Sequence, residues 1–142
     1  MNDQDSGAKS ALNAYAQAVY TKDIEAFVAV YTPDAHTFDA WGQWELRGAD
    51  ALREMASGWF GSLGDERVII EFDDLTLTAN DDIAWAHTAV TFAAESASGE
   101  RLRAMTNRAT FCLTRQQGTW HIAHQHTSLP IDMATMTAIR ER

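Results

Sequence analysis

The sequence is poor in cysteine, in basic residues and in long apolar runs, and each shortage excludes a class of protein. The one cysteine, Cys112, cannot form an intrachain disulfide, which excludes a disulfide scaffold and fits a reducing compartment. Eleven Lys and Arg stand against twenty Asp and Glu without forming a basic patch, so neither nucleic acid nor an anionic membrane is an expected partner. No run approaches the roughly 18 apolar residues of a membrane span, and the polar, acidic start does not resemble a signal peptide. We therefore expect a soluble, cytoplasmic protein.

The composition that is present is typical of a globular protein. The 142 residues are 46% hydrophobic and 22% charged, with a formal net charge of −9. A chain of this length forms about one domain and buries enough surface to hold a core without disulfides. Because the sequence contains no internal repeat, low-complexity tract or linker, we treat residues 1–142 as a single domain.

Helical periodicity dominates the first half of the chain. Between residues 6 and 20, apolar side chains recur every three or four positions, as in an amphipathic helix. The polar residues 21–23 supply N-cap candidates for a second helix, which we expect to stop before Pro33. A turn at Pro33 is expected to lead into a short extended segment, residues 36–40. A third helix is predicted to begin near Gly48.

Strands dominate the second half. The strand-like segments are residues 68–78, 83–94, 101–114 and 119–128. The joints between them are short enough for hairpins, so the pattern predicts an antiparallel meander. Helices first and strands later indicate an α+β fold, with the helices covering one face of a curved sheet. In the tail, Met133, Met136 and Ile139 have near-helical spacing and are expected to form a short capping segment.

Three polar residues occupy positions where the pattern favours apolar ones. Tyr15 lies on the apolar face of the first helix, and Asn107 shares a strand face with apolar neighbours. Asp39 lies at the end of the short predicted strand, immediately before the loop that contains Trp41 and Trp44. Because a buried polar group must be paired, these side chains indicate either partners within the core or a cavity. The structural alternatives are a core tyrosine, a capping carboxylate and an amide that satisfies an irregular backbone.

Several aromatic residues are candidates for the walls of a ligand pocket. Trp41 and Trp44 lie in a short glycine-containing loop and need a surface to pack against, which a ligand or a second subunit would supply. Trp59 and Phe60, on the third helix, are either further walls or ordinary core residues.

Two histidines support a rival interpretation. His124 and His126 are two residues apart on a predicted strand, so their side chains share a face and form a candidate pair of metal ligands. The candidate third ligands are His36, His87, Asp39 and His121. The alternatives place the two histidines in the pocket wall, where they contact a ligand, or at a subunit interface beside carboxylates.

Several segments resemble the ketosteroid isomerase and SnoaL-like families of the nuclear-transport-factor-2-like superfamily. In the first half the similar segments are residues 14–15, 22–27, 31–35, 38–39, 42 and 47–49. Residues 118–122 and 124–130 are similar to the final strand of SnoaL-like members. The resemblance covers nearly the whole chain. It implies a cone-shaped roll in which three N-terminal helices pack on a strongly bent antiparallel sheet and enclose a pocket.

The resemblance also implies roles for the three polar residues. Tyr15 matches the tyrosine that donates a hydrogen bond to the substrate oxygen in ketosteroid isomerases. Asp39 matches the carboxylate that removes the proton next to the carbonyl. Asn107 stands where those enzymes use a protonated aspartic acid as second donor, and an amide donates without any change of pKa. The tryptophans and Ala40 depart from the steroid enzymes, which argues against a steroid substrate.

The function implied is binding of a small apolar or polycyclic molecule, with isomerase- or cyclase-like acid–base chemistry that needs no cofactor and no metal. The superfamily arrangement implies a homodimer formed through the sheet, and the polar strand face that carries Arg108 suits such an interface. The alternatives are a non-catalytic ligand-binding or dimerisation module of the same fold and, third, a histidine-based metal site.

Overall fold

Side-chain caps set where the first two helices begin. The structure, a computed structural model, describes residues 2–142. Its helices are α1, Asp3–Thr21; α2, Ile24–Ala29; and α3, Gly48–Ser62. Asn2 caps α1 because its side chain accepts from the Asp5 N–H at 2.8 Å, while the Asp5 carboxylate accepts from the Asn2 N–H at 3.3 Å. Asp23 caps α2 through the Ala26 N–H, as the sequence predicts. Within residues 2–142, no helix is both long and apolar enough to cross a membrane.

The strands form one large sheet and one small one. Their bounds are β1, Tyr31–Phe38; β2, Leu46–Arg47; β3, Arg67–Ala79; β4, Ile83–Glu95; β5, Arg101–Gln116; β6, Thr119–Ser128; β7, Ile131–Asp132; and β8, Thr137–Ala138. The large sheet has the order β2-β1-β6-β5-β4-β3, and β7 pairs with β8 alone. Strands β3 to β6 form the predicted antiparallel meander. The predicted α+β class is confirmed, with helices at the N-terminus packed on a curled, open sheet.

One strand pairing corrects the expectation of a purely antiparallel sheet. β1 lies between β2 and β6 and runs parallel to β6, so that His36 pairs with His124 and Phe38 with His126. The sheet is therefore mixed. Two neighbouring parallel strands must be joined by a long crossover connection, which here is the segment between β1 and β6, more than half of the chain. Because the two strands are so far apart in sequence, no local sequence pattern predicts that they pair.

The expected turn at Pro33 is also wrong. β1 begins at Tyr31, where the second helix was expected to continue, and runs through Pro33 without a turn. The register between β1 and β6 shifts between Tyr31 and His36. Pro33 lies inside this irregularity, where its lack of an N–H interrupts no regular ladder of hydrogen bonds. The strand is consequently long enough to carry its last residues to the cavity described below.

Alternation along β5 divides the sheet into a core face and an outer face. Asn107, Ala109, Phe111 and Leu113 are buried, whereas Arg108 and its exposed or half-buried neighbours alternate with them. Helix α1 packs across the core face, against β3 and β6. The predicted inward direction of the Asn107 side chain is therefore confirmed.

The tail does not form the expected near-helical capping segment. It forms the β7–β8 hairpin, whose tip carries the exposed residues Met133 and Met136. A left-handed backbone at Met136 (φ 56°) closes the hairpin, which is incompatible with continued helix. The chain then returns to β5, where the Arg140 carbonyl accepts from the Thr106 N–H at 3.0 Å.

Candidate functional site

A cavity of about 680 Å³ lies between the helices and the core face of the sheet. Its lining includes Tyr15, Asp39 and Asn107, the three polar residues singled out in the sequence. They come from α1, from the end of β1 and from β5, so three distant parts of the chain meet here. The volume suits a molecule of two or three fused rings.

Tyr15 is held rigidly by aromatic neighbours. Its ring centroid lies 5.7 Å from that of Phe27, 6.1 Å from Phe111 and 6.5 Å from Tyr31. Burial raises the pKa of the Tyr15 hydroxyl well above its ordinary value. A hydrogen bond with Gln125 opposes this shift, and the negative charge of Asp39 adds to it. Tyr15 is therefore a neutral hydrogen-bond donor at physiological pH.

Asp39 is a half-buried carboxyl group whose geometry is set by β6. The Thr127 hydroxyl accepts from the Ala40 N–H at 3.0 Å and donates to Oδ1 of Asp39 at 3.3 Å. Burial raises the pKa of Asp39 above 3.8, and hydrogen bonds from Thr127 and from the backbone of Trp41 and Ala40 oppose the rise. Partial burial thus makes the carboxylate more basic than an exposed one, which suits a proton acceptor.

Asn107 differs from its neighbours because its side chain has no partner within the protein. It is only 2% exposed, and neither Oδ1 nor Nδ2 makes a hydrogen bond to another protein group among residues 2–142. The same is true of the Thr37 hydroxyl, which also lines the cavity. Most buried polar side-chain atoms are hydrogen-bonded, so unpaired ones that line a cavity are available to a ligand.

The four aromatic candidates divide into two pairs. Trp41 and Trp59 line the cavity. Trp44 does not, because the loop directs it outward and leaves it 90% exposed. Phe60 is a core residue packed between Phe27 and Trp59, at centroid distances of 5.8 and 5.3 Å. The expectation that Trp44 and Phe60 contact a ligand is therefore corrected.

His124 and His126 lie on the outer face of the sheet rather than in the cavity wall. Trp120 and Ile122 point into the core, so strict alternation would direct both histidines inward. The β5–β6 register shifts between Ile122 and His124, and this bulge at Ala123 reverses the alternation. Gln125 and Thr127 point inward instead.

The outer face brings most of the candidate metal ligands close together without forming a site. Nδ1 of His124 donates to the His36 carbonyl at 2.6 Å, and the Phe38 ring lies 5.0 Å from His124 and 5.2 Å from His126, centroid to centroid. Across residues 2–142, the structure contains no group of three or more His, Cys, Asp or Glu arranged to hold a metal ion.

The sequence model of the SnoaL-like domain matches residues 8–132. The chain belongs to the SnoaL-like family. No curated protein matches it significantly. The family resemblance inferred from the sequence segments is therefore confirmed, and it extends over most of the chain.

Solved structures similar to this SnoaL-like chain share its fold. An NTF2-like protein of unknown function from Pseudomonas putida has a TM-score of 0.83 at 28% identity, with 97% of this chain and 94% of that one covered. Aln2 from a Streptomyces species has a TM-score of 0.78 at 20% identity, covering 87% and 88%. A ketosteroid isomerase-like protein from Erwinia carotovora has a TM-score of 0.69 at 23% identity, covering 90% and 97%.

Several cavity residues of this SnoaL-like domain were not singled out in the sequence. The polar ones are Tyr31, Thr37, Gln125 and Thr127, and the mouth carries Arg103 and Arg140. Tyr31 donates a hydrogen bond to Oε1 of Gln125. Gln125 and Thr127 alternate with His124 and His126 along the strand, so the sequence predicts that the two pairs face opposite sides of the sheet. The bulge determines which pair faces the cavity.

Proposed function

We propose that this SnoaL-like protein binds a small, largely apolar molecule in the cavity and transfers a proton next to its carbonyl group. One observation supports the proposal most directly. A basic carboxylate, a neutral phenol and an unpaired amide line the same cavity, at Asp39, Tyr15 and Asn107. Around them the walls are apolar, with Leu52 and Phe92 among them. Such a cavity holds a ring system and exposes its carbonyl to the polar groups.

The proposed reaction needs only these side chains. Asp39 removes a proton from the carbon next to the carbonyl; the electron pair of that C–H bond forms a C=C bond, and the π pair of the carbonyl moves onto its oxygen. Tyr15 and Nδ2 of Asn107 donate hydrogen bonds to the resulting enolate oxygen. Where the substrate has a C=C bond next to the deprotonated carbon, the enolate is conjugated, and Asp39 returns the proton to the far carbon of that bond, so the product is an isomer and no cofactor is consumed. The Thr127 hydroxyl keeps the carboxylate oriented throughout.

Replacing Tyr15 with phenylalanine tests the donor role. We expect Tyr15→Phe to weaken binding of 4-nitrophenolate, an enolate mimic, about ten- to a hundredfold, because a hydrogen bond to a charged oxygen is lost. Calorimetric titration at a pH where the probe is ionised measures the effect. Tyr20→Phe is the matched control, since Tyr20 is on the same helix and does not line the cavity. Equal affinity in Tyr15→Phe and the wild type would contradict the proposed site.

We also propose that the protein is a homodimer formed through the outer face of the sheet, which is the basis of the alternative, non-catalytic function as a dimerisation module. Two cross-strand rows occupy this face. One row is Trp85, Cys112, His124 and His36, and the other is His87, Thr110, His126 and Phe38. Trp85 is half exposed and stacks on His87 at a centroid distance of 5.4 Å. A surface of aromatic and imidazole rings without a charged residue in either row suits a second copy of itself.

Placing a charge in the centre of this face tests the dimer. We expect Trp85→Glu to convert the protein from a dimer to a monomer, because two symmetry-related carboxylates would be buried close together. Sedimentation velocity measures the mass. Trp44→Glu makes the same change in an exposed loop and should leave the dimer intact. A wild-type protein that sediments as a monomer at high concentration would refute the dimer.

A further inference from the structure

The side-chain amide of Asn107 is the most unusual polar group in the cavity wall. Of the other polar side chains that line the cavity, Tyr31 bonds to Gln125 and Thr127 bonds to Asp39, whereas the Thr37 hydroxyl also has no hydrogen-bond partner among residues 2–142. Asn107, at 2% exposure, has neither a donor for Oδ1 nor an acceptor for Nδ2 within the described part of the chain, residues 2–142. An unsatisfied buried polar group destabilises a fold by roughly 1–3 kcal/mol. The fold therefore carries two unpaired polar atoms at this position, and a ligand that bonds to them would remove that penalty.

Both atoms of the amide need a partner, and this constrains the ligand. A ketone or an enolate oxygen accepts from Nδ2 and leaves Oδ1 unpaired. A ligand that also carries an N–H beside its carbonyl pairs with both atoms at once. The conclusion is the same for either orientation of the amide, since exchanging Oδ1 and Nδ2 still presents one acceptor and one donor to the cavity.

We infer that the ligand of this cavity is a lactam or a primary carboxamide, whose N–H and carbonyl form a cyclic pair of hydrogen bonds with Asn107. The inference rests on the proposed binding of a small molecule in the cavity, but not on proton transfer. The apolar walls and the volume of about 680 Å³ fit an amide fused to one or two rings. Tyr15 then donates to the same carbonyl oxygen from α1.

Two isomers of methylquinolone test this inference. 4-Methyl-2-quinolone has the lactam N–H, and 1-methyl-2-quinolone, with the same atoms, has a methyl group in its place. We expect the wild type to bind the first isomer about tenfold more tightly or better, as one additional buried hydrogen bond predicts. In Asn107→Leu, both isomers should bind with affinities within about twofold of each other, since the amide oxygen that pairs with the lactam N–H has been removed. Calorimetry measures all four affinities.

Controls keep the outcomes distinct. Asn13→Leu changes an exposed asparagine of α1 and should retain the preference. If Asn107→Leu does not fold, as a thermal melt would reveal, Asn107→Ala replaces it in the same comparison. Equal binding of both isomers to the wild type, or a preference that survives in the Asn107 variant, overturns the inference. If 4-nitrophenolate binds in a Tyr15-dependent manner and neither quinolone does, the lactam inference is overturned while the proposed function stands.

Discussion

Replacing Asp39 with asparagine is expected to lower the rate of proton transfer about a hundred- to ten-thousandfold, the usual contribution of a positioned general base. The amide is nearly isosteric and keeps the contact with Thr127, but it accepts no proton from carbon. The measurement needs no natural substrate. Exchange of the acidic C–H protons of 2-tetralone for deuterium, followed by proton NMR, reports the transfer directly.

The pH dependence of this exchange follows from the pKa of Asp39. Burial raises that pKa above 3.8, and the carboxylate is the active form. The exchange catalysed by the wild type should therefore decrease as the pH falls through a value above 3.8. Asp34→Asn is a suitable control, since Asp34 is an exposed aspartate of β1 that does not line the cavity. Exchange that persists in Asp39→Asn would assign the base to another residue.

The same variant should not be less stable at neutral pH. Because the folded-state pKa of Asp39 is raised, the folded protein binds more protons than the unfolded chain between 3.8 and that raised value. Stability is therefore lost as the pH rises through this window. Asparagine is always neutral, so the Tm of Asp39→Asn should equal or exceed that of the wild type at neutral pH, and the difference should vanish below pH 3.8. A large fall in Tm would instead identify Asp39 as a structural cap.

Truncation of Phe111 should have the largest effect on stability. Phe111 is fully buried, and its ring centroid lies 6.1 Å from Tyr15 and 6.3 Å from Phe72. We expect Phe111→Ala to reduce the free energy of unfolding by about 3–5 kcal/mol, from lost apolar burial and from the void left behind. Urea denaturation measures the change.

An exposed residue of the same strand provides the comparison. Leu102 is 44% exposed on β5, so Leu102→Ala should change the free energy of unfolding by no more than about 0.5 kcal/mol. A loss below about 1 kcal/mol in Phe111→Ala would show that the core closes over the void. In that case Tyr15 would also move, and the affinity for 4-nitrophenolate would fall in parallel.

Periodicity is sufficient to predict much of the fold and the inward direction of one site residue. The spacing of apolar residues predicts α1 and α3, and alternation along β5 correctly directs Asn107 inward. Both patterns are local consequences of how side chains project from helices and strands. The convergence of Tyr15, Asp39 and Asn107 on one cavity was suggested by family resemblance, since no pattern of residues relates positions so far apart.

The features that the sequence did not predict are a strand bulge, the path of a loop and one long-range strand pairing. One extra residue at Ala123 reverses the faces of the final strand, which exchanges His124 for Gln125 at the cavity. Trp44 is exposed because of the path of a loop, and loop paths follow from tertiary contacts rather than from hydrophobic spacing. Local sequence patterns likewise do not predict that β1 pairs in parallel with β6.

That parallel pairing has a consequence for how the protein is made. During synthesis, β1 leaves the ribosome some eighty residues ahead of β6, the strand that pairs with it. Until β6 is made, the backbone groups of β1 on the side that faces β6 have no partner strand. Contacts between residues this far apart in sequence also form slowly. Strand β6 supplies the Thr127 hydroxyl that donates a hydrogen bond to Asp39. It also supplies the Gln125 side chain that accepts a hydrogen bond from Tyr31. A nascent chain that stops short of residue 119 therefore has the three helices and strands β1 to β5 but no assembled site, so ligand binding reports synthesis through β6 as well as correct folding.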